Sequence, residues 1–342
     1  VSDPDALPHV PAPEARQRAL GHDKARAAIN SQIAAKRLPG AILLHGPQGI
    51  GKASFAFEMA AAILTATGDE PAGRVSEQVA ALSHPNLFVL RRRPKDAKGF
   101  YTVIRVEDVR EIRDSLHHTR GRAGYRVAII DPIDDCNPSA ANALLKTLEE
   151  PPADTTFLLI SHRPGRLLPT IKSRCHNLAL RPIKAGDVRT ILLEYDPALA
   201  AEDLDRAVAL SGGRPRRAFE TLSLEAASAL GALQAWLQNP VQHPSGAALQ
   251  LADALGASTQ STELSFAREM LDDWIADEAR AAAINGENRM RLASANELWD
   301  KAHALFADAD DINLDMKQTL VAVFDAIRKH AALTIQSPAE NP

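Results

Sequence analysis

The sequence predicts an α/β protein: a doubly wound parallel sheet of the P-loop type, followed by three short helices and then a longer all-α segment. Three observations carry this. Short apolar runs without polar alternation recur between helical patterns from about residue 22 to residue 180, as expected of strands buried on both faces. One such run, Ala41–His45, leads straight into Gly46-Pro-Gln-Gly-Ile-Gly-Lys-Ala53, a phosphate-cradling loop. After Pro182 strand signals cease and only helical spacing continues.

The elements follow in order. Residues 1–19 are proline-rich, lack an apolar signal-peptide core and are expected to form a loose arm. Strands are predicted at Ala41–His45, Leu87–Leu90, Val127–Asp131, Phe157–Ser161 and Asn177–Leu180. Helices are predicted at Ala53–Leu64, Val106–His118 and Ser139–Glu149, the last stopped by Pro151 and Pro152. These make a nucleotide-fold domain over residues 20–182, with its ligand crevice at the carboxyl ends of the strands. Three short helices, Ala185–Leu193, Ala201–Ser211 and Pro215–Leu222, occupy residues 183–226, punctuated by Asp196-Pro197 and Gly212-Gly213. Amphipathic patterns at Ser265–Ala282, Arg291–Ala307 and Leu314–His330 predict an all-helical segment over residues 227–342, with Trp274 and Trp299 as core or interface anchors.

Composition narrows the function classes. A length of 342 residues suggests two or three domains, and 45% apolar residues suffice for their cores. The apolar runs are too short to span a bilayer, which needs roughly 20 residues. Cys136 and Cys175 are the two cysteines; they offer neither a disulfide framework nor a four-ligand zinc site, and a cytoplasmic location is the simplest expectation. Charge is uneven: residues 1–230 carry +4 and residues 231–342 carry −8. The front could therefore face nucleic acid, and the tail is not expected to.

The chemistry centres on the glycine loop. Gly46, Gly49 and Gly51 let backbone N–H groups approach phosphate, and Lys52 reaches the outer phosphates. The next residue, ordinarily a Ser or Thr whose hydroxyl binds Mg²⁺, is Ala53. Ser54 is rotated away by about 100°. Val127-Ala-Ile-Ile-Asp131 is an apolar strand ending in an acid placed to hold Mg²⁺ through water, and it is followed by Pro132. Proline has no acid–base chemistry, and neither Asp134 nor Asp135 fills the slot. Phosphoryl transfer asks a protein mainly for positioning and electrostatics, so losing both groups predicts no efficient hydrolysis at this site.

Asn142-Ala-Leu-Leu-Lys-Thr-Leu-Glu-Glu-Pro-Pro152, Phe157-Leu-Leu-Ile-Ser161 and Ser173-Arg-Cys175 together resemble the bacterial clamp-loader branch of the AAA+ family. Leu20-Gly-His22 resembles its adenine-contacting entry motif, Arg214–Ala218 its lid motif, and Asn313–Gln318 its final collar helix, which implies that residues 183–226 are a helical lid and residues 227–342 an oligomerisation collar. The resemblance implies a hetero-pentamer of ATPase subunits, a clamp-opening subunit and a rigid stator subunit. That assembly loads a sliding clamp onto primer–template DNA for the DNA polymerase III holoenzyme. It implies that Arg174 serves as an arginine finger on ATP held by a neighbour, and that Ser161 and Arg217 occupy nucleotide-sensor positions. Arg110 is implied to face DNA phosphates; Arg105 and Arg113 lie nearby, while the run Arg91–Lys95 is more simply a solvated loop. Many relatives carry a cysteine zinc module after the P-loop helix; residues 65–86 contain no Cys, so no zinc or other metal is expected. ATP or ADP remains possible in the degenerate pocket. A rival reading is an active AAA+ ATPase, such as the motor paralogue or another DNA remodeller, which Ala53 and Pro132 disfavour. A small-molecule P-loop kinase would lack the Ser-Arg-Cys and Leu-Glu-Glu-Pro-Pro motifs.

Overall fold

The computed structural model describes residues 4–7, 10–95, 99–117, 122–223, 229–257, 262–284, 289–311 and 315–335. His118, Asn313, Leu314 and residues 224–228, each part of an element or boundary expected above, lie outside the described residues. The chain divides into two compact units, Val1–Ser223 and Leu224–Pro342.

In the first unit the order is α1 (Asp23–Ala34), β1 (Ala41–His45), α2 (Lys52–Thr67), α3 (Ala72–Ala80), β2 (Leu87–Leu90), α4 (Val106–His117) and β3 (Arg126–Ile130), then α5 (Pro138–Glu149), β4 (Thr155–Ser161), α6 (Pro169–Arg174) and β5 (His176–Ala179). The strands form one parallel sheet in the order β2-β3-β4-β1-β5. Every residue of β3 and β4 is buried, as are Ala41–Leu44 of β1, so their unbroken apolar runs reflect helices on both faces. On one face Ile42, Leu44, Ile129 and Ile160 pack against Phe55, Met59 and Ile63 of α2. On the other, Leu43, Ile130 and Leu159 pack with Val109 of α4 and Leu144 of α5. α5 starts where Asn137 accepts a hydrogen bond from the Ala140 N–H (2.8 Å) and Pro138 takes the first turn.

Register places the chemistry. Leu90 pairs with Ile130 and His45 with Ser161, so the residues leaving β1, β2, β3 and β4 converge at one edge of the sheet. The Glu70 side chain, only 6% exposed, forms ion pairs with Arg74 (3.1 Å) and Arg122 (3.1 Å) and lies 3.4 Å from the His84 ring. That charge cluster ties down the cysteine-free stretch before β2. Three further helices, α7 (Ala185–Tyr195), α8 (Ala201–Ser211) and α9 (Pro215–Leu222), close around their own core of Val188, Leu192, Leu204 and Ala218.

Among the described residues of the second unit every regular element is a helix: α10 (Ala229–Gln238), α11 (Ser245–Gly256), α12 (Thr262–Ile284), α13 (Arg289–Asp311) and α14 (Met316–Ile335). Trp236 is buried against Phe324 with ring centroids 5.0 Å apart. His330, also buried, links α14 to Ser294 of α13 (2.9 Å) and Glu278 of α12 (3.4 Å). Trp299 is 37% exposed and stacks on His303. No described helix is long and apolar enough to cross a membrane.

Candidate functional site

The loop between β1 and α2 encloses a cavity of about 190 Å³, lined by residues 48–54, Asp131, His162 and Arg216 among others. Glycine is required at two of its turns. Gly46 has φ +149°, and a Cβ there would lie 2.2 Å from the Leu180 carbonyl oxygen; at Gly49, with φ +80°, it would meet the Arg216 Cβ at 2.9 Å. Gly51 has φ +92° and caps α2. Lys52 is buried, and its ammonium donates to the carbonyls of Gly46 (2.7 Å) and Pro47 (2.6 Å). Burial brings the pKa of Lys52 down to about 7, against the opposing pull of Asp131 and Asp134. His22 resembles the adenine-contacting residue in sequence; here its Nε2 meets the Ile50 carbonyl at 2.9 Å and its ring stands edge-on to Phe55. Burial holds its pKa below the usual range.

Asp131 is engaged by a cation from its own chain. The Arg91 side chain is 0% exposed; its Nε lies 3.1 Å from the Asp131 carboxylate and its Nη2 lies 3.2 Å from Glu14. The guanidinium also sits 5.3 Å from the Phe57 ring centroid. Leu90–Ile130 register explains the meeting, since Arg91 and Asp131 are the next residues on adjacent parallel strands. The other arginines of the basic run are spoken for as well. Arg92 pairs with Asp5 (2.9 Å) and Asp135 (2.7 Å), and Arg93 with Asp108 (2.8 Å) and Glu111 (2.5 Å). The run is thus an ion-paired seam, where the sequence reading expected a solvated loop. The described part of the arm is held by the same seam: Glu14 and Asp5 meet Arg91 and Arg92, Arg216 donates to the Asp5 carbonyl, and Arg16 reaches Glu194 (3.5 Å).

These residues do not fit the Mg²⁺ that a P-loop ATPase employs. Ala53 lacks a hydroxyl, Asp131 is committed to Arg91, and Pro132 stands where a base would. Asp134 is not a substitute base. It accepts hydrogen bonds from the Ser161 hydroxyl (3.1 Å) and from the N–H groups of His162 (2.7 Å) and Arg163 (3.1 Å), fixing the turn after β4. Ser161, fully buried, is therefore engaged within the fold.

On α9 the two adjacent arginines part company. Arg217 is buried and its carbonyl accepts from Thr221 within the lid core. Arg216 lines the cavity, donates its backbone N–H to the Gly49 carbonyl (3.2 Å) and pairs with Glu220 (2.8 Å). The Arg216–Glu220 spacing of four residues was the available sequence signal that this face looks outward.

Arg174, at the end of α6, lines neither this cavity nor an adjoining one of about 500 Å³ between α5 and the turn after β4. Its side chain is 34% exposed, 2.5 Å from the Glu149 carboxylate, and donates to the Thr170 carbonyl (3.0 Å). Two motifs separate in sequence, Leu-Glu-Glu-Pro-Pro and Ser-Arg-Cys, thereby meet. Arg110 is exposed on α4, whereas Arg105 stacks on Tyr101 (4.3 Å) and Arg113 pairs with Asp114 (2.9 Å).

A parallel sheet in this strand order, with the phosphate loop after β1 and an acid after β3, defines a domain with the P-loop nucleotide-binding fold. Residues 21–184 match the family model described as DNA polymerase III, delta subunit. The chain is 42% identical over 179 residues to DNA polymerase III subunit delta' of Pseudomonas aeruginosa, covering 51% of this chain and 53% of that one. It is 32% identical over 199 residues to the Escherichia coli subunit of the same name, covering 53% and 57%. It is also 30% identical over 219 residues to subunit gamma/tau of Mycobacterium tuberculosis, covering 60% and 35%. The chain thus spans about half the length of the delta' relatives it matches.

Proposed function

We propose that this chain is a delta'-type subunit of a DNA polymerase III clamp loader. In this reading it joins ATPase subunits and a clamp-opening subunit in a hetero-pentamer that seats a sliding clamp on primer–template DNA. Its own pocket turns over little or no ATP, and Arg174 completes the active site of a neighbour. One observation carries the reading: the metal and base groups of the chain's own pocket are lost or committed elsewhere, while Arg174 stands outside that pocket, partly exposed. A guanidinium cannot lose its proton and spreads charge over phosphate oxygens, which suits a finger. Arg110 is the residue assigned to DNA phosphate.

The match to gamma/tau supports a second reading, an active ATPase of the same complex. ATP turnover by the isolated chain separates them. Negligible turnover, together with assembly alongside the ATPase subunits, is the expected result; robust Mg²⁺-dependent turnover by the chain alone would transfer the assignment to the motor class.

A further inference from the structure

We propose that the P-loop cavity binds the phosphates of a nucleoside di- or triphosphate without a divalent cation, Arg91 having replaced the metal as the counter-charge of Asp131. The proposal rests on reading residues 46–52 as a phosphate cradle, which is part of the function proposed above, and adds what the cradle recognises.

In a metal-dependent P-loop site the cation needs a hydroxyl from the loop and an acid at the end of β3. The first is absent at Ala53. The second has its charge met by a guanidinium that is wholly buried, fixed by two carboxylates and covered by the Phe57 ring. Bringing a hydrated Mg²⁺ to Asp131 would set two cationic centres on one carboxylate, or strip Arg91 of a buried partner; either is costly. The cradle itself is intact. Gly46, Gly49 and Gly51 hold the left-handed and extended conformations that only glycine adopts freely, Lys52 lies at the head of α2, and that helix N-terminus favours an anion. The Gly46 and Pro47 carbonyls now holding the Lys52 ammonium are weaker partners than a phosphate, so a nucleotide has a reason to draw Lys52 off them. Arg216 lines the same cavity. Positive charge for phosphate thus comes from the protein's own side chains and helix terminus.

The test is calorimetric titration of the full chain, without partner subunits or DNA, using ADP and ATP in excess Mg²⁺ and again in EDTA. The expected result is measurable binding whose Kd does not tighten with Mg²⁺. Tightening by about tenfold or more, a difference of about 1.4 kcal/mol, would overturn the proposal, and so would absence of binding in both conditions. Arg91→Gln removes the guanidinium charge beside Asp131 and is expected to introduce Mg²⁺ dependence; if that variant does not fold, the wild-type comparison decides alone. Because no neighbouring subunit is present, failure here leaves the role of Arg174 to its own test.

Discussion

Arg91→Ala is the perturbation whose consequence the structure sets most sharply. The substitution removes a side chain of 0% exposure and leaves two carboxylates, Glu14 at 9% and Asp131 at 12% exposure, facing the space it filled. Breaking a buried ion pair by deleting one partner costs about 3–5 kcal/mol, because the surviving charge stays buried without compensation. Here two like charges survive, and the packing against Phe57 goes as well, so the upper end of the range applies. For a domain of this size each kcal/mol lowers Tm by roughly 2–4 °C, giving a drop of roughly 10–20 °C in the transition of the first unit. Differential scanning calorimetry of the full chain reads it. Limited proteolysis gives a second readout, since residues 4–16 lose one of their anchors and cleavage there accelerates. Arg91→Lys is expected to recover only part of the loss, because an ammonium cannot span both carboxylates as the guanidinium does. A Tm within about 2 °C of wild type, equivalent to under about 1 kcal/mol, would refute the view that Arg91 is a buried structural counter-ion.

Other expectations follow from the same geometry. Because burial lowers the pKa of Lys52 to about 7, phosphate binding above that pH must be accompanied by proton uptake. Nucleotide affinity then falls by up to about tenfold per unit above pH 7; calorimetric titration from pH 7 upward checks the sign, and affinity that rises with pH over that range would contradict it. Burial also lowers the pKa values of His22, His45 and His162, so they stay neutral over that window and do not supply the slope. Glu149→Ala frees Arg174 to sample other rotamers, and the ATPase rate of the reconstituted complex should fall by less than in Arg174→Ala, with nucleotide KM unchanged; a rate equal to wild type would show that the pair does not orient the finger. Arg110→Ala should weaken binding of the complex to primed DNA without altering sequence preference and reduce the salt slope by about 1, as fluorescence anisotropy at several salt concentrations would reveal.

The parts of this fold legible in the sequence are those with local causes. The apolar run Ala41–Leu44 followed by the glycine loop gave strand and helix directly, and α8 and α9 have the boundaries that Gly212, Gly213 and Pro215 dictate. α5 begins and ends where Asn137, Pro138 and Pro151 require. Other helices escaped: α6 is only six residues, too short for periodicity to register, and α1 is polar enough on average to hide its two buried residues. At the site, Gly46, Gly51 and Lys52 were readable because the loop is contiguous. The role of Arg91 was not, because Glu14 lies 77 residues before it and Asp131 lies 40 after it; no window around Arg91-Arg-Arg contains either partner. Helix phase decided between Arg216 and Arg217. Arg217 shares a face with Ala218 and Thr221, all buried, which turns Arg216 toward the loop.

The central claim is that this chain completes a neighbouring active site while leaving its own idle. The most direct test compares ATP turnover by the reconstituted clamp loader containing wild-type chain with that containing Arg174→Ala, in the presence of clamp and primed DNA, after equal assembly has been verified. An arginine finger is worth about 10³–10⁵ at the site it serves, so the complex should lose the whole contribution of one active site while the isolated chain shows none to lose. Undiminished turnover by the Arg174→Ala complex would contradict the account.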